Sequence, residues 1–424
     1  MRITIKDNPK DFKDILLIFL LLFLSNDTYL FGTNSNELFL TLPRLFLLVF
    51  CLTTIVCSII NNKLIYNRRM ITLYSLMVFS FMVVSVYHHE VVSRVIVKLL
   101  CITTGMLICT RYELKDYAQL FLKCMQFFSI AAIFLTVLAY VAPSVVSSLP
   151  SMVNTAGVRF FSIGLAGLDE RSLSTWAVRT GGIFWEPGVF QMYLNLAILF
   201  ELMLYHGKNK KRMAIYILAL FFTFSTTGYI AFIWIMMTYS LFGKDDKRLT
   251  IRNLCVYILL LVSVFLLYYV VLYTSLGEVV FGKLFDVKDG STFVRLASVL
   301  INIEIIQDNP WTGIGMGIME IEFWTRSGLS ADIPWPTKQN TNTLLYQFAA
   351  HGCLFGSLFT WGTYKFGAKL GKNFFMKMSI FIMIVLIYVG ENLMTSIFPY
   401  IIIFYGVNKS IDTRKSERNA ANKI

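Results

Sequence analysis

The chain has 424 residues, of which 56% are hydrophobic, 15% aromatic and only 15% charged, with a net charge of +13. Soluble domains carry about 25% charged residues, so this composition, with a mean hydropathy of +0.65, excludes a soluble globular enzyme, a disordered chain and a secreted disulfide scaffold. The Lys and Arg residues lie in short stretches between long apolar runs, which assigns the positive charge to membrane topology and not to a nucleic-acid partner.

At about 20 apolar residues per crossing, the sequence predicts an all-α polytopic membrane protein with about twelve spans. They fall near 15–31, 38–60, 70–87, 91–110, 121–142, 184–206, 213–225, 227–242, 254–276, 344–363, 374–393 and 397–408. The first run lacks a small-residue cleavage site and reads as a retained helix. The stretch 213–242 is too long for one span and short for two, and it breaks at Ser225-Thr226-Thr227-Gly228. Residues 1–408 read as one integral membrane domain, followed by a basic tail at 409–424.

Basic clusters at Lys63/Arg68/Arg69, Arg111/Lys115, Lys208/Lys210/Lys211/Arg212, Lys244/Lys247/Arg248/Arg252 and Lys365/Lys369/Lys372 share one side with the tail if both termini are cytoplasmic. Two long loops, about 143–183 and 277–343, then face outward, and loops of that length are usually functional. In the second, Asp289-Gly290 makes a turn and Ser291 can cap a helix with Phe293, Leu296, Leu300 and Ile303 on one face, ending before Pro310. The seven cysteines sit in or beside apolar runs without a CxxC pair, as buried structural thiols do.

No Walker A loop, HExxH or paired-Asp sugar-nucleotide signature is present, and no His spacing suits a metal. Gly313-Ile314-Gly315-Met316-Gly317 follows a helix and a proline, with no strand before it, and reads as a tight connector. The segment Gly181–Gln191 carries Glu186 next to Pro187, which suits a first helical turn. Glu186 is there either a carboxylate at the positive end of a helix or one aimed into an interfacial cavity as a general base. Arg159, Arg171, Arg179, Arg295 and Arg326 lie on the outer side against the charge bias, and guanidinium forks suit phosphate. Arg171 has a local ion pair with Asp169 or Glu170 as its alternative. Arg44, Arg94 and Lys98 lie in or near apolar runs, as functional intramembrane charges or as snorkelling ones. His206 reads as a cap, and His351 as a buried hydrogen-bonded residue.

Four pieces in order resemble the bacterial O-antigen polymerase (Wzy-type) and O-antigen ligase superfamily. They are Gly181–Gln191 with its Glu-Pro-Gly, Phe224–Tyr229, Gly290–Arg295 continuing to Asn309–Gly317, and Asn340–Leu345 with His351-Gly352 behind it. The resemblance implies a GT-C-like architecture with two long periplasmic loops over a cavity in the inner membrane. It also implies polymerisation of undecaprenyl-diphosphate-linked repeat units into O-antigen or a related surface polysaccharide, with no metal or cofactor. Transfer of glycan to lipid A-core by a ligase, or transport of the lipid-linked oligosaccharide, are the alternatives. The implied partners are the lipid-linked glycan, the bilayer and a chain-length regulator. Arg295 matches the arginine before the glycine cluster, and Arg159 and Arg179 match those of the first loop. Glu186 and Arg295 are the expected catalytic residues. Arg159, Arg179, Asn340 and Asn342 are the expected substrate contacts. Ligase-like members often carry His-Asn where this chain has Lys338-Gln339-Asn340-Thr341-Asn342, a departure that favours the polymerase.

Overall fold

A computed structural model of the protein describes residues 12–60, 67–155, 157–173, 175, 177–243, 290–329 and 337–408. The span expected at 254–276, the turn at Asp289, the Ser291 side chain, Cys255, Lys63, the cluster Lys244/Lys247/Arg248/Arg252 and the basic tail lie outside the described residues.

The described residues begin with five helices: α1 (Phe12–Phe23), α2 (Glu37–Ile60), α3 (Arg68–Tyr87), α4 (Val92–Arg111) and α5 (Leu114–Val141). The short α6 (Pro143–Ser147) leads into an antiparallel sheet ordered β1 (Ser151–Val153), β2 (Arg159–Ser162), β3 (Gly167–Asp169), then the one-turn α7 (Glu170–Leu173). Next come α8 (Pro187–Tyr205), α9 (Lys210–Phe222) and α10 (Thr226–Phe242). Then follow α11 (Gly290–Asp308), α12 (Met316–Leu329), α13 (Thr343–Leu370), α14 (Phe374–Gly390) and α15 (Phe398–Val407). Among the described residues, α2, α3, α4, α5 and α8 are long and apolar enough to cross a membrane, while α10, α14 and α15 are shorter apolar helices.

Their surroundings differ. Helix α8 is buried over 83% of its apolar window, α2 over 22%. Leu45, Val49 and Ile59 of α2 are all more than half exposed, a surface that water penalises and lipid does not. Helix α8 is the axis around which α5, α9 and α10 pack.

The break expected at Ser225–Gly228 is present: Ser225 caps α10, its side chain accepting from the Gly228 N–H. The first span is shorter than the expected 15–31. It stops at Phe23 because Ser25, Asn26 and Asp27 are polar groups that find partners off the helix axis. Residues 24–36 instead fold across the end of the bundle that carries the sheet. There the Tyr29 N–H donates to Ile183 O (3.1 Å) and the Tyr29 ring stacks on Phe160.

Helix α11 exists as expected but is rotated. Leu296 and Ile303 are exposed, while Phe293, Ala297, Ser298, Ile301, Asn302 and Ile305 are buried. The buried stripe is set by small and polar side chains that grip the 337–343 segment, which an apolar count misses. Gly313–Gly317 is a tight connector, and it also braces α13. The Ile314 and Gly315 N–H groups donate to Ala349 O and Ala350 O, and the Cys353 N–H donates to Pro310 O. Helix α13 breaks there at Gly352, whose φ is +75°. A Cβ at Gly352 would lie 1.9 Å from Trp311 O, so both the left-handed backbone and the close approach require glycine.

His206 is the left-handed C-cap of α8. His351 is buried against Phe81, Tyr346 and Phe355, with no hydrogen bond at Nε2. Cys51, Cys101, Cys109 and Cys124 are buried free thiols, whereas Cys57 is exposed on the apolar flank of α2.

Candidate functional site

Glu186 is the N-cap of α8 in extended conformation (φ −150°, ψ 159°), and its side chain makes no capping hydrogen bond. Pro187 at the first helical position removes one N–H that would otherwise need a cap, so the carboxyl is free to point elsewhere. The segment before it is pinned on two sides. Trp185 N–H donates to Asp27 O (3.2 Å), and Gly167 N–H donates to Gly182 O (2.8 Å).

The Glu186 carboxyl meets a second one, that of Glu391, which follows the last residue of α14. Both crowd a bare glycine: a Cβ on Gly188 would lie 2.5 Å from Glu391 Oε1 and 2.8 Å from Glu186 Oε1. Glu391 is 1% exposed, and Glu186 is half-buried. Around the Glu391 carboxyl stand Glu186, Gln191 and Arg295, yet neither of its oxygens has a hydrogen bond of ordinary geometry. Arg295 on α11 places Nη2 4.0 Å from Glu391 Oε1 and donates from Nε to Gly390 O at 3.5 Å, while its side chain stays 28% exposed.

These end-of-helix carboxyls are shifted in the same direction. Burial pushes Glu186 up, against the pull of Glu391, Arg295, Arg179 and Arg171. Glu391 is raised further, by burial first and then by the Glu186 charge, with Arg295 opposing. Two carboxylates so placed resist ionising together.

Glu391 was not among the residues the sequence singled out, although an acid inside an expected span, 374–393, was a usable signal. The four resembling pieces meet around it. The first touches it through Glu186 and Gly188, the third through Arg295, and the fourth through Thr343, whose hydroxyl donates to Glu391 O at 2.5 Å. The second joins at one remove: Asn195 Nδ2 donates both to Gln191 Oε1 and to Gly228 O, each at 3.0 Å.

The remaining expected residues divide. Arg179 donates from Nε to Thr223 O (3.3 Å), and its charge acts on Glu186. Arg171 is ion-paired with Asp169 and also acts on Glu186. Arg159 begins β2, exposed and opposite Val153, and is not one of the arginines acting on Glu186. Arg326 is engaged by Asp308 and Glu322. Asn340 forms a reciprocal amide pair with Asn302, both bonds 3.0 Å, and Asn342 caps α13 by accepting from the Leu345 N–H. Both asparagines are buried. Lys98 does not snorkel: it is 2% exposed, donating to Gln347 Oε1 and Met394 O. Among the described residues, no three His, Cys, Asp or Glu side chains converge at metal-binding spacing.

Residues 213–364 match the family model described as O-antigen ligase. That stretch contains Arg295, Asn340 and Asn342, and the match is consistent with the O-antigen polymerase and ligase superfamily. The family covers ligases and polymerases and implies a glycan-transferring enzyme. The match and the apolar helices together point to a membrane protein. No curated protein matches the chain.

Proposed function

We propose that the protein is a glycosyltransferase that polymerises undecaprenyl-diphosphate-linked oligosaccharide repeat units into O-antigen or a related surface polysaccharide. It works at the periplasmic face of the bacterial inner membrane, with both termini in the cytoplasm. The observation that carries this reading is the meeting of Glu186 and Arg295, from distant parts of the chain, at the Glu391 carboxyl.

In the transfer, the bond between C1 of the growing glycan and the diphosphate oxygen breaks, and its electron pair leaves with the diphosphate. A sugar hydroxyl of the incoming repeat unit bonds to C1. Glu186, half-buried and turned away from its own helix cap, takes the hydroxyl proton. Arg295, with Arg179 beside Glu186, neutralises charge on the departing diphosphate. Arg159, exposed at the head of the sheet, is placed to meet glycan or diphosphate farther out. Asn340, held on α11 by Asn302, and Asn342, at the cap of α13, are the substrate contacts of the second long loop. The polyprenyl chains lie along the apolar flanks, and a chain-length regulator is the expected protein partner.

The description of the matched family favours a second reading, a ligase with lipid A-core as acceptor. A gel of surface glycan from a strain without this protein separates the two. Loss of the ladder down to core plus a single repeat supports the polymerase. Rough lipopolysaccharide with lipid-linked polymer accumulating supports the ligase. An unchanged ladder refutes the ligase and any role in O-antigen, and leaves the polymerase reading to stand or fall on the other surface polysaccharides of the same strain.

A further inference from the structure

The Glu391 carboxyl is a costly thing to keep where it is. A buried acid whose oxygens make no hydrogen bond of ordinary geometry loses its hydration for little return, and here a second carboxyl adds repulsion. Yet the link between α14 and α15 that carries it is fastened at nearly every peptide. Thr343 Oγ1 donates to Glu391 O and accepts from the Leu393 N–H at 2.8 Å. Lys98 Nζ donates to Met394 O at 3.1 Å. Asn26 Nδ2 and Cys101 Sγ both reach Thr395 O. Ser396 Oγ donates to Asp27 Oδ2 at 2.6 Å, an oxygen that also accepts from Tyr193 OH. Groups from α4, α8, α13 and the 24–36 loop thus fix the position of one otherwise unsatisfied acid.

We propose that Glu391 is a positioning residue for Glu186: the two carboxyls share a single proton, which Glu391 keeps and directs at Glu186. This rests on the reading of Glu186 as the base of glycan transfer. Among the described residues, the charged groups facing the pair are Arg295 from α11 and Arg179 and Arg171 from the first long loop. With one proton the pair carries a single negative charge, which Arg295 offsets while its guanidinium still reaches solvent. Glu391–OH holds one Glu186 oxygen, and the other is left to take the acceptor proton, which then passes to solvent on product release. When Glu391 ionises, repulsion swings the carboxyls apart and draws Arg295 off the diphosphate. The rate therefore rises with pH as Glu186 ionises and falls again as Glu391 does. Both steps belong to the pair and not to either residue alone.

The test is a pH–rate profile of repeat-unit polymerisation by the full-length protein in native membranes, supplied with lipid-linked repeat units. Wild type is expected to be bell-shaped, losing about tenfold on the alkaline side. Glu391→Gln keeps a donor but has no proton to lose, so its alkaline limb disappears while the acid limb remains. Glu391→Asp retains both limbs at a lower rate. A Glu391→Gln profile of unchanged shape, scaled down or not, overturns the proposal, because a purely structural role moves every point equally. A wild-type profile with no alkaline limb overturns it as well, whatever the variants do. Full activity of Glu186→Gln would instead refute the underlying assignment of the base.

Discussion

Helix α8 has a glutamate at each end, Glu186 half-buried and Glu201 buried, and the two are treated in opposite ways. Glu201, with no exposed surface, is held by Arg212 through two guanidinium contacts and accepts from the Asn209 N–H. Its lone pairs are spent on joining α8 to α9. At the other end, Glu186 leaves its cap unmade and faces Glu391, which has the Arg295 guanidinium 4.0 Å away. Burial alone does not mark a functional acid. What distinguishes the two ends is whether the carboxyl is paired with a cation and a backbone N–H or set against a second carboxyl on a fastened support.

The sharpest way to break that comparison is at the satisfied end. Arg212→Met leaves Glu201 buried without its cation, and the expected loss is about 3–5 kcal/mol of stability. It would be read as a lower thermal midpoint and less protein in the membrane. The protein that survives should keep the pH dependence of wild type. A stable variant would mean that Glu201 is not the structural member of the two.

Gly188→Ala probes the unsatisfied end. The added methyl would collide with both carboxyl oxygens, at 2.8 Å or less, and push the pair out of register with Arg295. A displacement of that order costs turnover on the order of a hundredfold, with protein abundance near wild type. Steady-state polymer synthesis normalised to protein amount measures it. Wild-type turnover would show that the carboxyls need not sit over this glycine.

The smallest effect belongs to the exposed ion pair beside the site. Arg171 is 74% exposed and bound to Asp169, so Arg171→Ala should cost about 0–1 kcal/mol in stability. Its charge is one of three acting on Glu186, and only a slight alkaline displacement of the acid limb is expected. Melting curves and the same pH profile check both parts.

Much of this was legible beforehand because apolar periodicity and breaks are local signals. The helices at 37–60, 68–87, 92–111 and 226–242 lie within a few residues of their expected spans. The Ser225 cap and the glycine connector were readable from residue type. What failed was set by distant partners. The first span ended early because Asp27 is wanted by Tyr193 and Ser396. The buried face of α11 was misassigned because Ser298 and Asn302 serve Thr341 and Asn340. Glu186, Arg295 and Arg179 were chosen from their sequence setting, and they stand together in the fold. Glu391 was hidden inside an apolar run, where its meaning depends on a helix more than two hundred residues earlier.

The account stands on Arg295, which joins the second long loop to the acid pair. The direct test is the glycan made by cells whose only copy is Arg295→Ala, with protein confirmed at the wild-type level in the membrane. The account predicts that polymer is lost and single lipid-linked repeat units accumulate. Full-length polymer from that variant would contradict it.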